Sequence, residues 1–244
     1  GSEMCIRDSL EIIERLKNGG MRLNDSMNMK YSDMVDYYTM WVHQIKTPIA
    51  SMHLILQKED SEYSRRLRAE LFRVEQYVQM VLCFLRLDSD FTDYVIKEYR
   101  VDDIIRPAVR RLAPQFIMKK LALEYEHTDE VALTDEKWLG FVVEQVLSNA
   151  VKYTSSGSIS IKCDGDRLVI SDTGIGIAAE DLPRIFDKGY TGFNGRADRK
   201  ASGIGLYLCR RICDKLGHSI RAESVAGQGT TITIGLGRNR LEVE

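Results

Sequence analysis

Trp41-Val42-His43-Gln44-Ile45-Lys46-Thr47-Pro48-Ile49-Ala50 sets a histidine and a proline inside a stretch with the periodicity of a long amphipathic helix. Outward from it, apolar residues fall at Val35, Tyr38, Val42, Ile45, Ile49, Met52 and Leu56, alternating threes and fours over about residues 24–57. That is a heptad seam. After the polar turn Lys58-Glu59-Asp60-Ser61 a second seam follows at Leu67, Leu71, Val74, Val78, Val81 and Leu85. The pair predicts a helical hairpin. Two helices of roughly 30 residues, about 45 Å each, cannot bury both seams alone, so a homodimer closing a four-helix bundle is expected.

Val42 and Ile45 would face the interior of that hairpin, which puts His43 one step off the apolar stripe, toward solvent. Thr47 lies one turn on, and Lys46 three residues on, so the neighbourhood is polar. A neutral imidazole with one nitrogen held by an acceptor is a competent nucleophile. Pro48 removes the donor for the Gln44 carbonyl and predicts a bend within a turn of the histidine. A histidine on a charged helix is also an ordinary solvated residue, and spacing alone leaves both readings open.

The totals of the chain narrow the choices. Its 244 residues, 44% hydrophobic and 29% charged, suit two globular domains and argue against wholesale disorder. Lys and Arg number 34 against 36 Asp and Glu, so no overall field recruits nucleic acid or an anionic surface, and no nucleic-acid partner is expected. Cys5, Cys83, Cys163, Cys209 and Cys213 are odd in number and scattered, which fits free thiols in a reducing compartment. Cys209 and Cys213 can share a helix face, yet two thiols do not make a zinc site. No apolar run approaches the roughly 18 residues that cross a bilayer. Residues 1–23 carry weak signals and are set aside as a tail or juxtamembrane remnant. The seam ends near Leu87-Asp88-Ser89-Asp90, which divides a hairpin at 24–90 from a second domain at 91–244.

In that second domain short strands alternate with helices. The pattern predicts strands at 94–98 and 121–126, helices at 101–118 and 135–153, and a hairpin of strands 158–163 and 167–171 turning at Asp164-Gly165-Asp166. A helix at 204–216 and strands at 219–224 and 230–236, joined at Gly227-Gln228-Gly229, complete it. The fold class is α+β: one sheet under one layer of helices, preceded by the helical hairpin.

Four segments of this domain share a chemical theme. On the predicted helix 135–153, Gln145, Asn149 and Lys152 fall on one face, offering a hard carboxamide oxygen suited to Mg²⁺ and a point charge suited to phosphate. Asp172-Thr173-Gly174-Ile175-Gly176 ends a strand, with a carboxylate able to accept from an exocyclic amine and glycines that let backbone approach a base. Ser202-Gly203-Ile204-Gly205-Leu206 opens a helix, whose free N–H groups favour phosphate. Gly227-Gln228-Gly229-Thr230 is a tight turn. Between the second and third segments, residues 188–200 are rich in glycine and cations and read as a lid. Each glycine pair taken singly is an ordinary turn signal.

Their order is what resembles a family. VHQIKTP is similar to the phosphoacceptor box of sensor histidine kinases, NAVKYT to the N box, DTGIGI to the first glycine box, RIFDKGYTG to the phenylalanine box, SGIGLYL to the second glycine box and GQGTTITI to the last, over about residues 30–236. The Walker-type phosphate loop is absent. WVHQIKTP further resembles the intramembrane-sensing subgroup, kinases with two membrane helices and little extracellular sensor that are associated with peptide-detoxifying ABC transporters.

The resemblance implies a dimerisation and phosphotransfer hairpin followed by an ATP-binding domain of the GHKL (Bergerat) type. His43 would take the γ-phosphoryl of ATP and pass it to an aspartate on the receiver domain of a response regulator, with the hairpin forming the homodimer. Asn149 would ligate Mg²⁺. Lys152, with Lys188 and Arg199 of the lid, would hold phosphates, and Tyr153 would line the adenine pocket. Asp172 would read the adenine amine, Gly174 and Gly176 would shape the pocket, and Gly203 and Gly205 would hinge the lid. Leu206 and Thr230 complete the implied nucleotide contacts, and Phe186 would anchor the lid. The fragment would be cytoplasmic and its parent would sit in a bacterial cell membrane, with the ABC transporter as a partner through membrane helices.

Two positions depart from the family pattern. Gln44 stands where most relatives carry an acid after the histidine; its amide can orient an imidazole but cannot take up a proton near neutral pH. The same substitution, with Thr47, bears on any phosphatase activity. Gln145 stands where related ATPases place a catalytic glutamate, which favours transfer to protein over hydrolysis. The rival reading is a nucleotide-binding scaffold, in which ATP only shifts conformation. His53, His127 and His218 are read as surface or packing residues, and Met27, Met29, Met34 and Met40 as bundle core and dimer contacts.

Overall fold

The structure, a computed structural model, describes residues 2–58, 61–87, 94–192 and 202–237, with side chains from residue 13 onward. The chain divides into two compact units, Gly1–Thr92 and Asp93–Glu244.

The first unit is the predicted hairpin, built from α1 (Ser2–Gln57) and α2 (Glu62–Leu87). Its first helix begins much earlier than residue 24. Residues 2–23 continue it, and side chains 13–23 are exposed, so this stretch is helical without an apolar face buried against the hairpin. The helix also runs unbroken through Pro48. At the start of α2, Ser61 and Ser64 cap one another: Ser64 N donates to Ser61 Oγ at 3.1 Å and Ser61 N to Ser64 Oγ at 3.2 Å. Residues 59 and 60 of the turn and 88–93 of the predicted boundary lie outside the described residues.

Only alternate seam positions are buried. Val42 and Ile49 on α1, and Leu71, Val78 and Leu85 on α2, are covered, with Val42, Val78 and Leu82 forming one cluster against Ile45. Tyr38, Met52, Leu67, Val74 and Val81 stay 36–45% exposed. Met27, Met29, Met34 and Met40 are exposed as well, so in the single chain they form no core. Across the hairpin His53 Nε2 meets Glu75 Oε1 at 3.1 Å, which accounts for His53 as a packing residue.

The second unit is a helix-on-sheet sandwich. Its strands are β1 (Lys97–Arg100), β2 (Ala122–Tyr125), β3 (Val131–Thr134), β4 (Ser158–Asp164), β5 (Arg167–Asp172), β6 (Ser219–Val225) and β7 (Gly229–Gly235), and its helices α3 (Val101–Lys119), α4 (Glu136–Tyr153) and α5 (Gly205–Leu216). The main sheet has the order β2-β4-β5-β7-β6, parallel between β2 and β4 and antiparallel elsewhere. Leu147, Val151, Ile159, Ile161, Leu168, Ile170, Leu208 and Ile212 pack between sheet and helices with at most 1% exposure. Strand β3, which hydrophobic patterning does not reveal, pairs antiparallel with β1 in a small separate sheet. It is four residues long, and only the small Ala132 and Thr134 face inward, so its alternation is faint. Cys83, Cys209 and Cys213 are buried free thiols, and burial pushes the Cys83 and Cys213 thiols up to about 12.

Polar anchors hold the helix ends. Asp135 caps α4, accepting from Lys137 N and Trp138 N, and its other oxygen accepts from Val95 N at 2.8 Å. At the start of α3 the buried Asp102 accepts from the Tyr125 hydroxyl, from Arg106 at 2.6 Å and from His127 Nδ1 at 3.2 Å. Burial acts to raise the Asp102 carboxyl, but hydrogen bonds from Tyr125 and His127 and the charge of Arg106 outweigh it and hold it below the usual range. His127 is thus an anchor of β2 to α3, and His218, buried, meets Thr134 Oγ1 at 2.9 Å.

A depressed folded pKa contributes stability that is present above the unfolded carboxyl value and lost as pH falls through the folded one. Asp102→Asn is therefore expected to destabilise the second unit at pH 7 by about 1–3 kcal/mol, with the deficit shrinking on acidification, as read by urea unfolding across pH.

Candidate functional site

His43 projects from α1 into solvent, because Val42 beside it is the fully buried residue that meets Val78 and Leu82. Gln44 and Thr47 are exposed with it. Thr47 Oγ1 donates to the His43 carbonyl at 3.5 Å, and Ser51 Oγ to the Thr47 carbonyl at 3.2 Å, so both hydroxyls are turned back onto the helix. The imidazole is reachable by another molecule or domain, and no carboxylate of its own helix turn accompanies it.

The second unit brings together most of the remaining predicted residues. On α4 the apolar face of Val142, Val143, Val146, Leu147, Ala150 and Val151 is buried, leaving Gln145, Asn149 and Lys152 along a half-exposed edge. Gln145 Nε2 donates to Asn149 Oδ1 at 3.4 Å. The Lys152 ammonium lies 4.9 Å from the Tyr153 ring centroid.

Strand β5 ends at Asp172 beside the last turn of α4. Gly174 N donates to Asp172 Oδ1 at 2.8 Å and Ile175 N to the Tyr153 carbonyl at 3.2 Å. A Cβ on Gly174 would stand 2.5 Å from that carbonyl. Gly176 takes φ +65°, and a Cβ there would come within 2.1 Å of the Val225 carbonyl. Gly229 is pressed as closely: its Cβ would meet the Asp172 carbonyl at 1.9 Å. Backbone therefore meets backbone at three points around the end of β5.

Burial pushes the Asp172 carboxyl up, offset in part by the Gly174 and Thr230 backbone N–H groups and the adjacent Thr154 hydroxyl. That hydroxyl is buried. A half-buried acceptor beside it, with glycines close by, fits the amine edge of a purine. Thr230 pairs with Asp172 across β5 and β7, and its Oγ1 meets Ser224 Oγ at 3.0 Å. Ser224, absent from the sequence reading, also accepts from Ile177 N at 2.8 Å and donates to the Gly229 carbonyl at 2.7 Å. Its position opposite Thr230 in the final hairpin was the available clue.

The lid segment is tied at both ends. Gly189 N donates to the Gly203 carbonyl at 2.9 Å, and a Cβ on Gly203, at φ +65°, would lie 2.5 Å from the Gly189 carbonyl carbon. Gly205 lies against the Gln145 side chain, its Cβ position 2.5 Å from Nε2. Gly203 thus serves a close backbone approach at the lid base. Phe186 packs under the Arg210 guanidinium at 5.8 Å, and Lys188 is exposed. No side chain caps the start of α5, which contains Leu206. Arg199 and the rest of 193–201 lie outside the described residues.

Residues 134–240 match the family profile described as histidine kinase-, DNA gyrase B- and HSP90-like ATPase. The chain is 35% identical over 210 residues to the sensor histidine kinase YxdK of Bacillus subtilis, covering 83% of this chain and 65% of that protein. It is 36% identical over 201 residues to the sensor protein BceS of Halalkalibacterium halodurans, covering 80% of this chain and 60% of the relative. The chain is similar to sensor histidine kinases over most of its length. It spans 60–65% of the length of these curated relatives. Among solved structures, the chain shares its fold with the Acinetobacter baumannii histidine kinase AdeS, at TM-score 0.55 and 20% identity over 81% of this chain and 98% of the other. Full-length ShkA, solved in complex with AMPPNP, matches at TM-score 0.56 and 20% identity over 84% of this chain and 47% of that one.

A carboxyl group raised by burial costs the fold stability once ionised: the penalty is absent below the ordinary carboxyl range and grows as pH rises through the folded value. Asp172→Asn is accordingly expected to melt above wild type at pH 7, with the gap closing toward about pH 3, in paired thermal scans.

Proposed function

We propose that this chain binds Mg²⁺·ATP in the glycine-walled cleft of its second unit, phosphorylates His43, and passes the phosphoryl group to an aspartate on a response-regulator receiver domain. The observation that carries the reading is the exposed imidazole of His43 on the hairpin, one residue from a fully buried valine. The half-buried Asp172 supports it, as an acceptor for the adenine amine in a cleft too tight for side chains at Gly174 and Gly176.

Asp172 accepts from the exocyclic amine, and Tyr153 lines the ring. Asn149 would hold Mg²⁺ through its carboxamide oxygen, and the ion would supply positive charge to the phosphates. Lys152 and Lys188, with Arg199, hold phosphates. Residues at the start of α5, Leu206 among them, present backbone N–H groups to the same anion. A neutral nitrogen of His43 donates its lone pair to the γ-phosphorus; the bond from that phosphorus to the bridging oxygen breaks, and its electron pair leaves on ADP. Gln44 orients the ring, and solvent takes the imidazole proton, because phosphoryl transfer through a loose transition state demands little of a base. Gln145, an amide wedged against Gly205, cannot activate water, which favours transfer to His43 over hydrolysis.

The half-covered seams of α1 and α2 support a homodimer, whose second hairpin would cover Met52, Leu67, Val74 and Val81. No described helix is long and apolar enough to cross a membrane, and the relatives are longer chains. We infer that the parent belongs to the intramembrane-sensing subgroup, sits in a bacterial cell membrane with this part on the cytoplasmic side, and works with a peptide-detoxifying ABC transporter.

Incubation with γ-labelled ATP is expected to give an acid-labile, alkali-stable phosphoprotein that His43→Gln abolishes. Nucleotide binding without that signal would instead identify a scaffold, and phosphate release surviving His43→Gln a hydrolysing ATPase. Asp172→Asn is expected to weaken ATP binding by about 10- to 100-fold in calorimetry. Thr47→Ala should reduce dephosphorylation of the regulator more than it reduces His43 labelling, and the reverse result would sink the role given to Thr47.

A further inference from the structure

The cleft sits at the wrong end of α4 for a polyanion. Asn149, Lys152 and Tyr153 belong to the last turns of that helix, where unpaired carbonyls and the macrodipole place about half a negative charge. A triphosphate held there would be repelled unless that end were neutralised.

The chain accounts for every carbonyl of the last turn. Thr154 N takes the Ala150 oxygen at 3.1 Å and Ile175 N takes that of Tyr153 at 3.2 Å. The remaining two go to one side chain. Lys119, the last residue of α3, donates from Nζ to the Val151 carbonyl at 2.6 Å and the Lys152 carbonyl at 3.1 Å, and also to the Thr154 carbonyl at 3.1 Å. Lys120 then takes φ 54° and ψ 39°, a left-handed stop that ends α3 so that Lys119 sits against the end of α4. A side chain from a different helix, partly buried, thus delivers a full positive charge to the carbonyls that carry the nucleotide residues.

We propose that Lys119 is a positioning residue for the nucleotide's phosphates: its ammonium cancels the negative end of α4 and fixes the turn bearing Lys152 and Tyr153. This rests on the reading of the cleft as a nucleotide site. The proposal differs from a purely structural clamp in one respect. A clamp, once loosened, weakens every ligand of the cleft alike, whereas a neutraliser, once removed, weakens ligands in proportion to their negative charge.

The full chain with Lys119→Gln separates the two, since the amide still donates to carbonyls but carries no charge. Titrations with adenosine, ADP and ATP, each with Mg²⁺, are followed by chemical-shift changes, which register weak binding as well as tight. Lys119→Gln is expected to leave adenosine within about twofold of wild type and to weaken ATP by on the order of tenfold, ADP falling between. Lys119→Arg should restore the ATP-to-adenosine ratio even if its bulkier head lowers the melting temperature. Equal losses for adenosine and ATP, or no loss for either, overturn the proposal. Absence of nucleotide binding by the wild type overturns the reading of the cleft itself, and this inference with it.

Discussion

The end of β5 depends on one constraint: glycine backbone packs against main-chain carbonyls around it with no room for a Cβ between them. Gly174 lies against the Tyr153 carbonyl, Gly176 against that of Val225, and Gly229 against that of Asp172 itself. The end of β5, the end of α4 and the β6–β7 turn are thereby locked together, and the lock leaves Asp172 half-buried beside the Thr154 hydroxyl. A carboxylate placed this way is costly for the fold and useful for recognition, because an acceptor withdrawn from water discriminates strongly for a ligand that donates to it. Ser224 stiffens the arrangement by bonding both to Ile177 of the loop after β5 and to Gly229 across the β6–β7 turn.

On the proposed reading the two units meet opposite physical demands. A nucleophile that must be reached by different partners has to stay in water, and the hairpin achieves this by burying Val42 so that His43, about 100° around the helix, is directed outward. A purine site has to exclude water. The sandwich does so with a dry layer of Leu147, Val151, Ile159 and Ile170 behind the cleft and glycine-walled backbone around it. Phosphoryl transfer on the proposed reading joins groups that one rigid core could not easily hold under both conditions.

Much of this was legible from local patterns. Heptad spacing placed the hairpin, and period-two and period-3.6 runs placed six of the seven described strands and the described α-helices of the sandwich to within a few residues. The misses share a cause. Strand β3 is short and turns only Ala132 and Thr134 inward, so it leaves no periodic trace. Residues 2–23 are helical without the apolar stripe that betrays a packed helix. Beside the hinge role the resemblance implies, Gly203 packs against the Gly189 backbone, a contact no local pattern shows.

By itself the sequence determined which residues stand as candidates for the chemistry: an off-stripe histidine, a carboxylate between strand and glycines, an amide-and-lysine helix face. These are local matters of spacing and residue type. Tertiary structure alone decided what surrounds them. That Asp172 is half-buried, that Ser224 braces the turn, and that Lys119 reaches the end of α4 all depend on segments far apart in the chain being brought within a few ångströms, and no local periodicity encodes that distance.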